Sequence, residues 1–268
     1  MLDRVSADRS GSAYWDRISH ELTGHYYHDA TIGGIKRDVH LRLLARWCPD
    51  LRGKRLLKTD LFEEAHGPDH FLFDLPPGGL RAGIDISPVI ARRARSRAPR
   101  EGAPPALLAG DVLALPFGKD ALDVIVSNST LDHFPDAAGI PAALAECHRA
   151  LKPGGILVIT LDNPRSLSYL VGRLKRRLRP EPFFLGHTLA REELVAALTR
   201  QGFQVTDTTA ILHGLENHSS AAMGLAARVG GARLRGAIGL VLRGLERLEG
   251  APTRFLTGAF VAARAVKR

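Results

Sequence analysis

The sequence predicts an α/β fold, a mostly parallel β-sheet covered by helices on both faces. Two observations carry this. From Leu56 onward, short apolar runs alternate with segments of helical period, and proline or glycine punctuates the junctions between them.

Ahead of the sheet, Ile35, Val39, Leu43 and Trp47 form one apolar helical stripe that ends at Pro49 and is read as packing. Seven apolar runs then follow: "RLLKTD", "RAGIDIS", "PALLAGD", "ALDVIVSNS", "GGILVITLD", "FQVTDTTAIL" and "RFLTGAFVAARAVK". Pro88 opens the helix "PVIARRARSRA", because its fixed φ suits a first helical position. Ile140, Leu144, Cys147 and Leu151 repeat at helical spacing until "KPGG" stops the element. In "LAREELVAALTRQG", Thr188 can cap the start and Gly202 can end the helix. Residues 216–250 read as a helical insertion with Leu234, Ile238, Val241, Leu245 and Leu248 on its apolar face. A connection of that length serves as a lid, a binding element or an interface. The chain therefore divides into an N-terminal helical segment able to act as a lid, 1–53, and a main domain, 54–268.

Composition sets the outer bounds. With 268 residues, 45% apolar and 24% charged, the chain falls in the ordinary globular range. The start "MLDRVSADRS" lacks the apolar stretch of a secretion signal, and no charge-free run approaches the ~18 residues of a spanning helix. Cys48 and Cys147 lie on apolar helix faces without zinc-ligand spacing, which fits a reducing cytoplasm. The net charge of +9 favours anionic partners. It is unevenly spread, with five arginines in 92–100 and Arg165, Arg173, Lys175, Arg176, Arg177 and Arg179 in an acid-free stretch. No nucleic-acid module or basic-aromatic stacking motif accompanies it, which argues against RNA.

In open parallel sheets ligands settle beyond the carboxyl ends of the strands, so the strand-terminal residues are the candidates. They are Asp60, Asp85, Asp111, Ser127 with Asn128, and Asp162 with Asn163. A carboxylate at the end of the second strand, Asp85, can accept from both hydroxyls of a ribose. Asp111 can accept from an adenine amine, with Ile86, Val112 and Leu113 against the ring. The other role open to both acids is helix or turn capping.

"GIDISP", "AGDVLALPFGKDALDVIVSNSTLDHFPD" and "ALAECHRALKPGGILVITLDNP" resemble, in order and spacing, the successive motifs of class I S-adenosylmethionine-dependent methyltransferases of the small-molecule, type 11-like group. The likeness runs from about residue 54 to the end and includes "GFQV" and a closing strand like "GAFVAARAVK". It implies a Rossmann-like seven-stranded sheet with an antiparallel last strand, and S-adenosyl-L-methionine as cofactor. It also implies that Asp85 binds the ribose, Asp111 meets the adenine, and Ser127 and Asn128 approach the methionine part. "YWDRIS" resembles the opening of small-molecule members, quinone C-methyltransferases among them.

The largest departure lies in "KRLLKTDLFEEAHG". Where most members carry alternating glycines, this chain has Lys58, Thr59, Asp60, Leu61, Phe62, Glu63 and Glu64. S-adenosylmethionine has no phosphate to cradle, so an acid can serve its ammonium instead; Asp60 is the candidate, with Glu63 or Glu64 as alternatives and a solvated helix start as the bland reading. Gly67-Pro68 places the next helix start at Pro68 and leaves 60–67 as an extended loop.

Methyl transfer from a sulfonium needs alignment, exclusion of water and, for some acceptors, a base. His133 in "STLDHF" is the candidate base, with local packing as its other role, while Tyr26, Tyr27, His28 and His187 are candidate acceptor contacts. No metal is expected, since His20, His25 and His28 lack a paired-ligand pattern. In "SLSYLVGRLKRRLR", Leu167, Leu170, Val171, Leu174 and Leu178 share one face. Packing of that face on the core is the first reading, and contact with an amphiphile or a membrane surface the second. The expected function is methylation of a small-molecule acceptor at oxygen, nitrogen or carbon. The rivals are a noncatalytic methyltransferase-like binding protein and, third, an RNA methyltransferase.

Overall fold

The computed structural model describes residues 11–22, 29–76, 79–100, 103–178, 184–214, 223–226 and 228–268. Its strands are β1 (Leu56–Lys58), β2 (Arg81–Asp85), β3 (Ala106–Ala109), β4 (Leu122–Asn128), β5 (Leu151–Asp162), β6 (Phe203–His213) and β7 (Gly258–Lys267). They form one sheet in the order β3-β2-β1-β4-β5-β7-β6. The first five run parallel, as in Leu57 beside Ala82 and Ile125, and β7 inserts antiparallel between β5 and β6. The strand order reverses beside β1, so β1, β2 and β4 meet at the point where such sheets bind ligands.

The period-2 alternation of the strands feeds two cores. Val124, Val126 and Val158 face one side with Ile35, Val39, Leu43 and Trp47 of helix α2 (Ala30–Trp47). Ile125, Leu157 and Ile159 face the other with Leu144 and Cys147 of α5 (Gly139–Ala150) and Leu194 and Leu198 of α7 (Arg191–Arg200). The stripe ahead of the sheet is thus core. Asp29 caps α2 by accepting from the Thr31 N–H at 2.8 Å. Ser87 likewise caps α4 (Pro88–Arg97), with Pro88 in the first turn as expected. Both cysteines are buried free thiols, and burial pushes the pKa of Cys48 up to about 11 and that of Cys147 up to about 12.

Five local expectations are corrected. The segment after β1 is not extended: it forms the short helix α3 (Phe62–His66), and Pro68 starts no helix. Leu61 is fully buried and Glu64 is drawn inward to Lys58, which pulls the chain into a turn. Pro68 instead packs on α2 at Gly33, where a Cβ would lie 2.1 Å from its Cγ. Thr188 does not cap α7. Its hydroxyl donates to the Asp162 carbonyl, and Glu193 reaches back to accept from the Ala190 N–H at 2.8 Å. Gly202 does end that helix, in the left-handed region at φ +87°. The seventh run begins as a helical turn, α9 (Arg254–Thr257), held by Arg254 N–H to Ala251 O and Leu256 N–H to Thr253 O.

In the insertion, α8 (Gly231–Leu245) turns Leu242 into the core, with Ile238 and Leu245 packed beside it, while Leu234 and Val241 are exposed. The buried face is rotated from the expected one, because contact with α2 at Gly239 and Thr31 sets its orientation. Finally, helix α6 (Leu167–Leu178) does not bury its apolar face: Leu167, Leu170, Val171 and Leu174 are exposed, and the Leu178 side chain lies outside the described set.

Candidate cofactor site and its family

Asp85 closes β2 and is 6% exposed. Its Oδ2 accepts from the Leu61 N–H at 3.0 Å and its Oδ1 from the Ser87 N–H at 2.9 Å. These bonds fix the carboxylate and leave each oxygen a lone pair. Burial pushes its pKa up to about 7, against the lowering by the Ser87 and Leu61 amides and Lys58. Beside it, Asp111 is half-buried and its Oδ1 accepts from the Leu113 N–H at 2.8 Å, closing a small turn. Ile86 and Leu113 retain accessible surface, whereas Val112 packs into the core with Ile84 and Leu115. At the tip of β4, Ser127 is fully buried with no hydrogen-bond partner for its Oγ among the described residues, and Asn128 is buried next to it. Ser129 follows at φ +46°, a left-handed bend locked by its N–H to the Thr160 carbonyl.

The loop after β1 is organised by one cation. Lys58 is completely buried, and its Nζ lies 3.1 Å from Asp60 Oδ2, 3.1 Å from Glu63 Oε2, 2.9 Å from Glu64 Oε2 and 3.0 Å from the Asp60 carbonyl. Burial opposes its charge, but Asp60, Glu64 and Glu63 together outweigh burial and raise its pKa well above the usual lysine value. Burial raises the carboxyls of Asp60 and Glu64, while Glu63 is held low by Lys58 in spite of burial. The three acids bring ligand atoms within 4.8 Å of one another, and the cation among them is the Lys58 ammonium. Glu64 Oε1 also accepts from the Leu72 N–H, and Thr130 Oγ1 reaches Asp60 Oδ2 at 3.4 Å, so the cluster ties β1 to the segments after it and after β4.

A helix roofs these tips. In α1 (Ser12–Glu21), Trp15 sets its ring edge against His133 at 5.0 Å between centroids and against Phe62 at 6.0 Å. Asp16 accepts from Ser87 Oγ, and Ser19 Oγ lies 2.9 Å from His66 Nε2. Tyr14 Oη accepts from the Phe184 N–H at 2.8 Å, and the Phe184 carbonyl accepts from His133 Nδ1 at 2.7 Å. That bond places the imidazole proton on Nδ1 and leaves Nε2 as the basic nitrogen. Asp132 beneath it is fully buried. Its Oδ2 accepts from Ser129 Oγ and the Asp162 N–H, while Oδ1 sits 4.0 Å from His133 Nε2.

Residues 70–159 match the family described as a methyltransferase domain. The chain is 30% identical over 132 residues to a probable S-adenosylmethionine-dependent methyltransferase of Mycolicibacterium smegmatis, covering 49% of this chain and 46% of that protein. It is 34% identical over 88 residues to malonyl-[acyl-carrier protein] O-methyltransferase 1 of Coxiella burnetii, covering 33% and 27%. The chain spans less than half the length of these curated relatives. Among solved structures, magnesium protoporphyrin IX methyltransferase from Synechocystis PCC 6803 with bound S-adenosylhomocysteine superposes with a TM-score of 0.57 at 16% identity, over 88% of this chain and 84% of that one. The chain thus carries a stretch that matches a methyltransferase domain, on a fold shared with solved methyltransferases.

The tips of β2 and β3 present a fixed acceptor pair at Asp85, and Asp111 beside two partly open apolar side chains. The tip of β1 presents a different surface, since Asp60 is 16% exposed and already shares Oδ2 with Lys58 and Thr130. Ser127 Oγ lies fully buried on β4, without a hydrogen-bond partner among the described residues. Of the predicted acceptor contacts, His187 is exposed, with its backbone N–H on the Phe134 carbonyl, and Tyr26, Tyr27 and His28 lie outside the described residues. Sequence reading passed over Trp15, Asp16, Asp132 and Phe184. "YWDRIS" carried the first two, whereas nothing local marks a backbone carbonyl as a histidine's partner.

Proposed function

We propose that this protein is an S-adenosylmethionine-dependent methyltransferase that methylates a small-molecule acceptor. In this reading Asp85 takes the ribose hydroxyls, Asp111, Ile86 and Leu113 line the adenine side with Val112 backing them from the core, Ser127 and Asn128 border the methionine part, and Asp60 faces its ammonium. The observation that carries it is the Asp85 carboxylate, pinned by two amides at the switch point of the sheet. When bound, the cofactor supplies a methyl group on a sulfonium, open to in-line displacement. The protein's part is alignment and exclusion of water, which the Trp15, Phe62 and His133 cluster provides. His133 Nε2 takes a proton from an oxygen, nitrogen or carbon acceptor, while its Nδ1–H stays on the Phe184 carbonyl.

The test is a mass shift of one methyl group in the small-molecule fraction of an extract incubated with enzyme and cofactor. With the responsive acceptor in hand, His133→Ala is expected to slow turnover by ~10² to 10⁴, the usual worth of a positioned base, and to spare cofactor affinity. Full activity would leave His133 as a packing partner of Trp15. A noncatalytic binding role is the second reading, favoured by one observation: the acids of the first-strand loop are already paired with Lys58. Calorimetric titration with S-adenosylmethionine and S-adenosylhomocysteine separates the two, because heat from neither supports the noncatalytic role.

A further inference from the structure

Helix α6 follows β5 and sends its apolar side into solvent. Leu167 and Leu174 are each 63% exposed, Leu170 48% and Val171 46%, at the i, i+3, i+4, i+7 spacing of a single stripe. Leu256 on α9, which packs beside α6, extends the patch at 50% exposure. Single exposed leucines are ordinary, but a continuous ridge of this kind marks a docking surface. The charge of the same stretch says what covers it. From Arg165 to Pro180 the sequence carries six cations, Arg165, Arg173, Lys175, Arg176, Arg177 and Arg179, and no acid, in a chain of net charge +9. Arg165 is engaged by Glu192, but the stretch itself supplies no counter-charge to the rest.

From this we infer that α6 is an interfacial helix that seats the protein on an anionic lipid bilayer, lying in the plane of the surface with its leucine ridge among the acyl chains, the positive charge of the stretch supplying the attraction to the headgroups. A second copy of the chain is a poor occupant, because two such faces would oppose like charges. RNA would satisfy the cations and leave the leucines in water. The proposed contact is peripheral, and no helix among the described residues is long and apolar enough to cross a membrane. The inference concerns a surface and does not depend on methyl transfer. The helix follows β5, whose last residue, Asp162, gives its N–H to Asp132 beside His133.

The test is flotation with phosphatidylcholine vesicles containing roughly a third phosphatidylglycerol, against vesicles of phosphatidylcholine alone. Wild type is expected to float with the anionic vesicles, to release as salt is raised, and to bind the neutral ones at least about tenfold less. Leu170→Gln with Leu174→Gln is expected to abolish flotation while leaving the thermal midpoint unchanged, since both side chains are already solvated. Failure of wild type to float would overturn the inference, as would a double variant that floats like wild type. So would a concentration-dependent dimer in sedimentation that the double variant abolishes.

Discussion

Lys58→Met is expected to destabilise the fold by about 3–5 kcal/mol, the scale seen when one partner of a buried ion cluster is removed and the others stay behind. The reason is local. Lys58 and Glu64 are both fully buried, and Asp60 and Glu63 complete a group of three acids gathered around that ammonium. Cation–π contact with Phe71 at 5.3 Å would be lost as well. The sign of the pH dependence follows from the carboxyls. Burial already raises Asp60 and Glu64, and without Lys58 they rise further, so the folded variant binds more protons than the unfolded chain. Its stability deficit therefore grows as pH rises above the carboxylate range and shrinks as pH falls. Urea melts at several pH values measure this, and a loss below about 1 kcal/mol at neutral pH would mean that the cluster is effectively solvated. Adding Glu64→Leu should recover part of the loss, by removing one of the stranded charges.

The second large effect concerns Asp85. Its pKa of about 7 in the free protein lies some three units above an ordinary aspartate, with burial as the main cause. In the proposed site the carboxylate is the form that accepts both ribose hydroxyls, so a proton competes with the nucleoside. Affinity for S-adenosylhomocysteine is expected to fall about tenfold from pH 8 to pH 6, as Asp85 goes from mostly ionised to mostly protonated. Asp85→Asn should flatten that profile and weaken binding roughly tenfold to a hundredfold at pH 8, the worth of hydrogen bonds to a charged acceptor. Calorimetry across pH reads both. A flat wild-type profile with undiminished affinity in Asp85→Asn would reassign the carboxylate to fastening the Leu61 and Ser87 amides.

How far the sequence disclosed this molecule depends on the scale of the feature. Each of the seven apolar runs contains a strand, because bulky β-branched and aliphatic residues bounded by glycine and proline have few other stable uses. The stripe Ile35, Val39, Leu43 and Trp47 was equally legible, since a helix that buries one face repeats its apolar residues at a fixed interval. The periodicity of α6 was read correctly as well, yet it says only that a face is apolar, not what covers it, and nothing in the described structure does. For α8 the register of the buried face was set by packing against α2, a long-range contact that no window of local sequence contains.

Lys58 is the deepest omission. The acids of "KTDLFEE" stood out, but a lysine at a strand end ordinarily reaches solvent, and only the fold shows this one folded back beneath them. The strand-tip aspartates were found by position, and the amides that hold Asp85 were not, because Leu61 and Asp85 are 24 residues apart.

A crystal structure grown with S-adenosylhomocysteine tests the central claim most directly. The account predicts the ribose hydroxyls on Asp85, the adenine beside Asp111, and the Lys58 cluster intact beneath the amino-acid end. Ordered ligand elsewhere, or Trp15 and Phe62 still filling the space above the tips of β1 and β4 at saturating ligand, would contradict it.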